Sequence, residues 1–516
     1  MNGAELLIQT AAAQGSDVCF ANPGTTEIPL VVAIDRNPAM RGVLCLFEGV
    51  ATGAADGWAR MTGQPGLTLV HLGPGFANGM ANLHNARRGR SKVVNLIGDH
   101  ATWHVDADPP LAMDIAAAAG SVSGWVGAIR DVAHTRAQML AALAAAQQGQ
   151  VASLSVPHDL QLADVGPQAA DPPAFTHAPV DAAAVDAAAR LLRSGRRVAL
   201  IVGGNALLEP GQFALARIGA ATGCDIYAEF SIARIDRGRG RLEVARVPYY
   251  PEKAQETLGV YDAFILVDAR RPVAFFGWPG APSYYTRDDQ EHLPLGGGGQ
   301  DILAVLAALA DALDAPAMPT VPAPAARDQG TPTGPLTDTT IGAVLAAAQP
   351  EGAIIVNEGV TTGRAYPGQS VNAPPHTMLN QPGGAIGLGI PLATGAAVAC
   401  PDRAVIDLQA DGSAMYTVQA LWTQARERLN VTTLICNNGA YNILGDELDR
   451  AEVATRGPAL AAMVDLGNPA IGWTQLAQGM GVDACAVDTA EELATALTRA
   501  LAEPGPHLID MRVATS

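Results

Sequence analysis

Short apolar runs alternate with Ala-rich stretches of helical periodicity along most of this chain. RVALIVGG is followed by ALARIGAATG in the middle, and GAIIVNEG is a similar apolar run nearer the end. Strands that are apolar on both faces belong to parallel sheets with helices packed on both sides. The alternation therefore predicts an α/β fold made of doubly wound parallel sheets.

The chain is too long for a single core, and two stretches divide it. Residues 166–181 and 315–335 are rich in Pro, Ala and small polar residues, which is typical of extended linkers. They predict three domains, at residues 1–165, 183–313 and 336–516. The first and third domains have a similar size and a similar alternation, which is consistent with a shared topology.

Composition argues against several classes of partner. The formal net charge is −18, which is unfavourable for binding to nucleic acid or to an anionic membrane. No apolar run reaches the roughly 20 residues that span a bilayer, and the opening stretch does not have the pattern of a signal peptide. The six cysteines are scattered without a CxxC pair, which predicts buried free thiols in a reducing cytoplasm rather than a zinc site.

An acidic turn between two apolar runs is the strongest chemical signal. The apolar run from Ala404 to Leu408 is followed by Asp411-Gly412-Ser413, where a turn is expected, and a helix pattern begins near Met415. The next run, VTTLIC, leads to Asn438, which lies 27 residues after Asp411. One strand–helix–strand unit has about this length, so both side chains are expected at the carboxyl ends of neighbouring parallel strands, where such sheets bind ligands.

Two interpretations of Asp411 remain open from the residues alone. Its carboxylate can cap the following helix by accepting hydrogen bonds from free backbone amides. It can also bind Mg²⁺ or Ca²⁺ together with Asn438, since both ions prefer oxygen ligands. The two roles are compatible, because the turn at Gly412 and Ser413 would aim the helix N-terminus at an anion.

Asp-Gly-Ser followed at this distance by Asn-Asn-Gly resembles the signature of thiamine diphosphate enzymes, which include acetolactate synthase and benzoylformate decarboxylase. The resemblance covers nearly the whole chain. It implies a magnesium ion held by Asp411, the Asn438 side chain and the Ala440 carbonyl. It also implies that Gly412, Ser413 and Tyr441 bind the cofactor on its phosphate side. The family usually has glycine where Ala410 stands, and a left-handed backbone there would cost alanine about 1 kcal/mol.

Three motifs in the first domain add to the resemblance. Glu48 follows the run LCLF and precedes a helix of small residues, where an acid can simply favour the helix dipole. The resemblance implies instead that Glu48 contacts the aminopyrimidine ring of the cofactor and exchanges a proton with it. Thr25, in CFANPGTTEIPLV, matches the first active-site loop of the family. His71, after LTLV, is either a structural histidine or the catalytic histidine of the decarboxylases, whereas the neighbouring Gly-Pro-Gly looks like acetolactate synthase.

Two loops in the last domain match the family's cofactor cradle. In LNQPGGAIGLGIPLATG, crowded glycines indicate close packing of a helix and a strand. The resemblance implies that Gly384 offers its carbonyl to the pyrimidine amine and that Ile386 supports the two rings in a bent shape. In IVNEGVTTG, Val360 and Thr361 are expected to help hold the diphosphate.

The remaining candidates have weaker support. His100 and His104 are candidates for the rim of a pocket, and zinc binding by this pair lacks a third ligand in the sequence. Acetolactate synthases can bind FAD in the middle part, but no clear flavin motif is present there. Phe275, Phe276 and Trp278 could form an apolar wall at the active site. The absence of histidine from residues 270–280 counts against a copied benzoylformate mechanism.

These observations favour a thiamine diphosphate-dependent enzyme that acts on 2-oxo acids. The leading hypothesis is an acetolactate synthase-like carboligase, in which decarboxylation is followed by formation of a carbon–carbon bond. The alternatives are a benzoylformate-type 2-oxo acid decarboxylase and a non-catalytic protein that binds the cofactor, although an intact Glu48 argues against the last. The resemblance also implies a homodimer or homotetramer with active sites at the subunit interface.

Overall fold

The computed structural model describes residues 1–166, 175–297, 299–319, 332–453 and 457–513. Within the two predicted linkers, residues 167–174 and 320–331 lie outside the described residues. The chain divides into two compact units. One unit contains the first and last parts of the chain, and the other contains the middle part together with Pro374–Pro382.

A six-stranded parallel sheet is the centre of the first part. Its order is β2-β1-β3-β4-β6-β5. The strands are β1 (Val18–Asn22), β2 (Arg41–Leu44), β3 (Gly66–Val70), β4 (Val93–Asp99), β5 (Trp125–Ala128) and β6 (Val151–Pro157). The α-helices are α1 (Gly3–Ala13), α2 (Ile28–Arg36), α3 (Glu48–Thr62), α4 (Leu72–Arg88), α5 (Ile115–Gly120), α6 (Thr135–Gln147) and α7 (His158–Leu162).

The middle part forms a five-stranded parallel sheet in the second unit. Its order is β10-β8-β7-β11-β12. The strands of this part are β7 (Val198–Val202), β8 (Asp225–Ala228), β9 (Arg234–Arg237), β10 (Ala245–Arg246), β11 (Ala263–Val267) and β12 (Glu291–Leu295). The α-helices are α8 (Ala182–Leu192), α9 (Glu209–Thr222), α10 (Pro251–Leu258) and α11 (Ile302–Ala312).

The last part adds a second parallel sheet to the first unit, with five strands in the order β17-β18-β16-β15-β13. The strands of this part are β13 (Ile354–Glu358), β14 (His376–Asn380), β15 (Val405–Ala410), β16 (Val431–Asn437), β17 (Asp483–Val487) and β18 (His507–Arg512). The α-helices are α12 (Asp338–Ala348), α13 (Tyr366–Gln369), α14 (Gly389–Ala399), α15 (Asp411–Ala414), α16 (Ala420–Glu427), α17 (Asn442–Arg450), α18 (Pro458–Val464), α19 (Trp473–Gly479) and α20 (Ala490–Ala502). In the second unit, β14 pairs antiparallel with β9.

The predicted fold class is confirmed. Each of the three predicted domain ranges contains its own parallel sheet with interleaved helices, and the apolar runs named above form buried strands such as β7 and β13. The boundaries at 165, 183, 313 and 336 stay predictions. None of the helices in the described ranges is both long and apolar enough to cross a membrane.

Helices α3 and α14 pack with their backbones almost in contact. A Cβ on Gly57 would overlap the Leu392 carbonyl oxygen, and a Cβ on Gly395 would overlap the Ala54 carbonyl oxygen. Both helices are built mainly from small residues, and nearly all of their residues are buried. The small side chains therefore let a helix of the first part lie directly against a helix of the last part.

Replacing Gly395 by Ala tests this packing. The added methyl group would force α3 and α14 apart, and overpacking of this kind lowers the free energy of unfolding by about 1–3 kcal/mol. The matched control is Gly479→Ala in α19, where a Cβ meets no atom within 4 Å. We expect chemical denaturation to show a loss for Gly395→Ala and none for the control. Equal stability of the two variants would contradict the close approach.

A buried acid lies beneath α14 in the last sheet. Asp407, in β15, is fully buried, and neither carboxylate oxygen has a hydrogen-bond partner among the described residues. Burial, together with the charge of Glu358, raises the pKa of Asp407 well above its usual range. Because the folded protein thus binds a proton that the unfolded chain releases near pH 4, the stability that this group contributes is lost as the pH rises.

The variant Asp407→Asn should remove that pH dependence. Asparagine resembles the neutral acid in shape and does not titrate, so the variant should gain stability relative to the wild type between pH 4 and pH 7. We expect the gain to be at least about 1 kcal/mol, since one unit of pKa corresponds to about 1.4 kcal/mol. Urea unfolding at several pH values measures it, and a difference between the two proteins that stays constant with pH would show that Asp407 is charged in the fold.

Candidate functional site

The acidic turn lies at the carboxyl edge of the last sheet. Strands β15 and β16 are parallel neighbours with Ala410 opposite Cys436, as the spacing predicts. Asp411 is 2% exposed, and its two oxygens accept hydrogen bonds from the backbone amides of Gly412, at 2.7 Å, and Gly439, at 2.8 Å. Asn438 begins the turn after β16, and its side-chain oxygen accepts from the Ala440 amide at 3.0 Å. The structure thus brings the three predicted metal ligands to two adjacent strand ends.

The oxygen-rich turn suits a divalent cation. Burial raises the pKa of Asp411, and the hydrogen bonds from backbone amides only partly oppose this effect. Each carboxylate and amide oxygen retains a lone pair beyond the one used by the backbone. A carboxylate, an amide oxygen and a backbone carbonyl are ligands that Mg²⁺ takes together with water and phosphate oxygens.

The backbone at Ala410 differs from the expectation for a left-handed glycine. Its φ is −74°, in the extended region, so alanine is unstrained there. The helix expected near Met415 also begins later, because only the short turn α15 and then α16 are helical. Between them the Thr417 hydroxyl donates to the Gly387 carbonyl at 2.9 Å, and bonds of the i→i+3 type replace regular helix. This tertiary contact is not visible in helical periodicity.

The side chains predicted on the phosphate side surround the same turn. Ser413 is buried within α15, and the Tyr441 ring lies against Gly412. Burial and the nearby Tyr416 raise the pKa of Tyr441. Val360 and Thr361 follow β13, and Val360 has a φ of 46°, which is rare for a β-branched residue. Such strained backbone is concentrated at ligand-binding sites in proteins.

The predicted cradle loop, residues 383–388, is held by one face of α4. Asn85 donates to the Ala385 carbonyl at 2.7 Å, and His84 Nε2 donates to the Gly383 carbonyl at 3.0 Å. Asn82 donates to the carbonyls of Gly387, at 3.2 Å, and Gly49, at 2.8 Å. Gly384 in this loop has a φ of 80°, and Ile386 is partly exposed.

The same face of α4 also holds Glu48. This residue is 6% exposed at the first position of α3, and Asn78 donates to its Oε2 at 3.0 Å. The preceding strand ends at Leu44, so the run LCLF is only partly strand. Asn78, Asn82 and Asn85 lie four and three residues apart, which is the spacing of one helical face. Sequence reasoning overlooked this stripe, although its periodicity was visible.

A second contact that sequence reasoning missed pairs His71 with Glu27. His71 Nδ1 donates to Glu27 Oε2 at 2.7 Å, and the wholly buried carboxylate also accepts from the Gly24 amide at 2.7 Å and the Thr26 hydroxyl at 2.6 Å. A Cβ on Gly24 would overlap the His71 ring, so the turn must approach the ring closely. The pairing directs Nε2 away from the carboxylate and leaves it available for another partner. Thr25 is exposed in the same turn.

The weaker candidates are two histidines in the first unit and three aromatic residues in the second. His104 is exposed and His100 is half-buried, with ring centroids 5.9 Å apart, and neither belongs to a group of three metal-binding side chains among the described residues. In the second unit, Phe276 lies edge-on to Phe275 at 4.8 Å and to Trp278 at 5.9 Å. Their role as an active-site wall stays a prediction.

Comparison with known proteins gives matches over the whole chain. Residues 1–128 match the family model for the thiamine pyrophosphate enzyme N-terminal TPP binding domain, and residues 360–511 match that for the C-terminal TPP binding domain. A Mycobacterium tuberculosis protein named putative acetolactate synthase large subunit IlvX is 48% identical, with 99% of each chain covered. Benzoylformate decarboxylase from Pseudomonas aeruginosa is 28% identical, with 97% of each covered. The structure of a Rhodococcus jostii 4-hydroxybenzoylformate decarboxylase superposes with a TM-score of 0.84 at 24% identity over 100% of both chains, which supports the fold.

Proposed function

Because this chain belongs to the thiamine pyrophosphate enzyme family, we propose that it cleaves the bond between the carboxylate and the carbonyl carbon of a 2-oxo acid and then joins the product to a second carbonyl compound, as acetolactate synthases do. The observation that supports a catalytic role most is the stripe of asparagines on α4. One helix face contacts both the buried carboxylate of Glu48 and the loop at residues 383–388. A protein that only stored the cofactor would not need to align these two groups.

The cofactor would be held by residues of both sheets in the first unit. Asp411, Asn438 and the Ala440 carbonyl would bind Mg²⁺. Thiamine diphosphate, when bound, supplies the electron sink that allows a 2-oxo acid to lose carbon dioxide. The other contacts would come from two sets of residues. The diphosphate would be held by Gly412, Ser413, Tyr441, Val360 and Thr361, and the rings by Gly384, Ile386 and Glu48.

Two residues would handle protons. Glu48, fixed by Asn78 and shielded from water, would exchange a proton with the pyrimidine ring. His71, oriented by Glu27, would present Nε2 to the carbonyl oxygen or carboxylate of the substrate, next to Thr25. We also propose that the protein is a cytoplasmic homodimer or homotetramer with active sites at the subunit interface. FAD is not part of the proposal, because no clear motif supports it.

A benzoylformate-type decarboxylase is the second candidate. The His71–Glu27 pair favours it, because protonation at the reacting carbon releases an aldehyde instead of a longer acid. The relative at 28% identity carries that name, whereas the relative at 48% identity is named for acetolactate synthase. Both reactions begin with loss of carbon dioxide from the 2-oxo acid. They differ in whether a proton or a second carbonyl compound then bonds to the reactive carbon.

Product analysis separates the candidates. The purified protein, with thiamine diphosphate and Mg²⁺, is given pyruvate or an aryl 2-oxo acid, and carbon dioxide, aldehyde and 2-hydroxy-3-oxo acid products are measured. Acetolactate from pyruvate supports the carboligase, an aldehyde from the aryl acid supports the decarboxylase, and cofactor binding without carbon dioxide supports a non-catalytic protein.

Glu48→Gln should lower carbon dioxide release by at least about 100-fold, which is the usual scale of proton-transfer catalysis. The control Glu252→Gln changes an exposed acid in the first turn of α10 and should have no effect.

The variant Glu27→Gln tests the orientation of His71. An amide oxygen is a weaker acceptor than a carboxylate oxygen, and the amide N–H would face one of the groups that now donate to Glu27, so the imidazole would be held less firmly. We expect kcat to fall by about 10- to 100-fold with KM changed less than about threefold. Asp131→Asn is the matched control, because Asp131 pairs with the exposed His134 at 3.4 Å. Unchanged kcat in Glu27→Gln would remove Glu27 from the mechanism, and unchanged kcat in His71→Ala would remove His71 as well.

A further inference from the structure

Glu358, the last residue of β13, carries a buried carboxylate with an unusual set of partners. It is 3% exposed. Its oxygens accept from three consecutive backbone amides, those of Gly387 at 3.0 Å, Leu388 at 3.3 Å and Gly389 at 2.6 Å. Gln409 donates to the same carboxylate at 2.9 Å. Among the described residues it forms no ion pair, so its charge is balanced by N–H dipoles alone.

Burying a charged carboxylate without a cation lowers the stability of the folded state. The effective penalty for taking one ion out of water is several kcal/mol. Here the three amides belong to the loop at residues 387–388 and the first turn of α14, where the helix dipole favours a negative charge. Burial raises the pKa of Glu358, while the four donors favour the charged form. A glutamine would present an N–H to at least one of these donors, so only a carboxylate satisfies all four.

The cradle loop is thereby held on both sides of its backbone. Glu358 accepts from its amides, while α4 donates to its carbonyls through His84, Asn82 and Asn85. Gly384 and Gly387 both have positive φ, at 80° and 93°. The loop thus has a backbone conformation that glycine adopts readily and other residues do not, and it presents Gly384 and Ile386 between the two sets of hydrogen bonds.

We propose that Glu358 is a positioning residue for the cofactor: its carboxylate fixes residues 387–389 so that Gly384 and Ile386 meet the rings of thiamine diphosphate in a preformed cradle. Glu358 itself touches neither cofactor nor substrate in this role. The inference rests on the proposed function, because the cradle has this meaning only if thiamine diphosphate binds there. A preformed loop lowers the ordering cost of binding, so the effect should appear in cofactor affinity before it appears in chemistry.

Amide exchange without cofactor tests the clamp directly. In Glu358→Gln, hydrogen–deuterium exchange at residues 387–389 should become at least about tenfold faster, which corresponds to about 1.4 kcal/mol of lost protection. Asp407→Asn is the matched control, since it changes another fully buried acid of the same sheet that makes no hydrogen bond to the loop. Because Asp407→Asn should also stabilise the fold, its exchange at residues 387–389 should be no faster than in the wild type. Should Glu358→Gln not fold, Glu358→Asp, which keeps the charge but shortens the reach, should show an intermediate increase.

Cofactor affinity tests the second half of the proposal. Titration of thiamine diphosphate with Mg²⁺, followed by tryptophan fluorescence or calorimetry, should give a Kd at least about tenfold higher for Glu358→Gln than for the wild type. Glu358→Asp should recover part of the affinity, and at saturating cofactor the KM for the 2-oxo acid should change less than about threefold. Unchanged exchange or unchanged Kd in Glu358→Gln would overturn the proposal, as would equal changes in Asp407→Asn. A wild-type protein that binds no thiamine diphosphate would overturn the proposed function, and with it the cofactor role, even if the exchange result held.

Discussion

The direct contact of α3 and α14 is the constraint on which the rest of the candidate site depends. Because Gly57 and Gly395 leave no side chain between the two backbones, the start of α3 at Glu48 and the loop before α14 come close to the same face of α4. Asn82 then bridges carbonyls of both parts with a single amide group. Larger residues at these positions in either helix would separate the Glu48 carboxylate from the cradle loop, even if both sheets kept their structure.

The sequence alone predicted those features that depend on neighbours along the chain. Apolar runs identified the parallel strands, and the spacing of Asp411 and Asn438 placed them correctly just after the ends of two adjacent strands, β15 and β16. Glu48 was expected at a helix start and lies at one. The late start of α16 was missed, because the contact of Thr417 with Gly387 overrides local periodicity. The roles of the site residues stay predictions.

Partnerships between distant residues could not be predicted in the same way. Glu27 follows Gly24 by three residues, which locally indicates only a capped turn, and its contact with His71 spans 44 positions. Glu358 looked like an ordinary loop residue, although three amides near residue 388 surround it. In both cases a buried carboxylate accepts from at least one donor that only the tertiary fold brings to it. A chain with net charge −18 thus uses backbone and amide N–H groups, more than cations, to keep acids inside this unit.

The packing of α3 against α14 also has a consequence for the synthesis of the protein. About 330 residues separate the two helices, and α3 is buried on all sides in the finished fold. At ordinary rates of translation, of about 5–20 residues per second, α14 leaves the ribosome tens of seconds after α3. During that interval the face of α3 that packs on α14 lacks its native partner. This buried helix pair therefore forms only after the last part of the chain has been made.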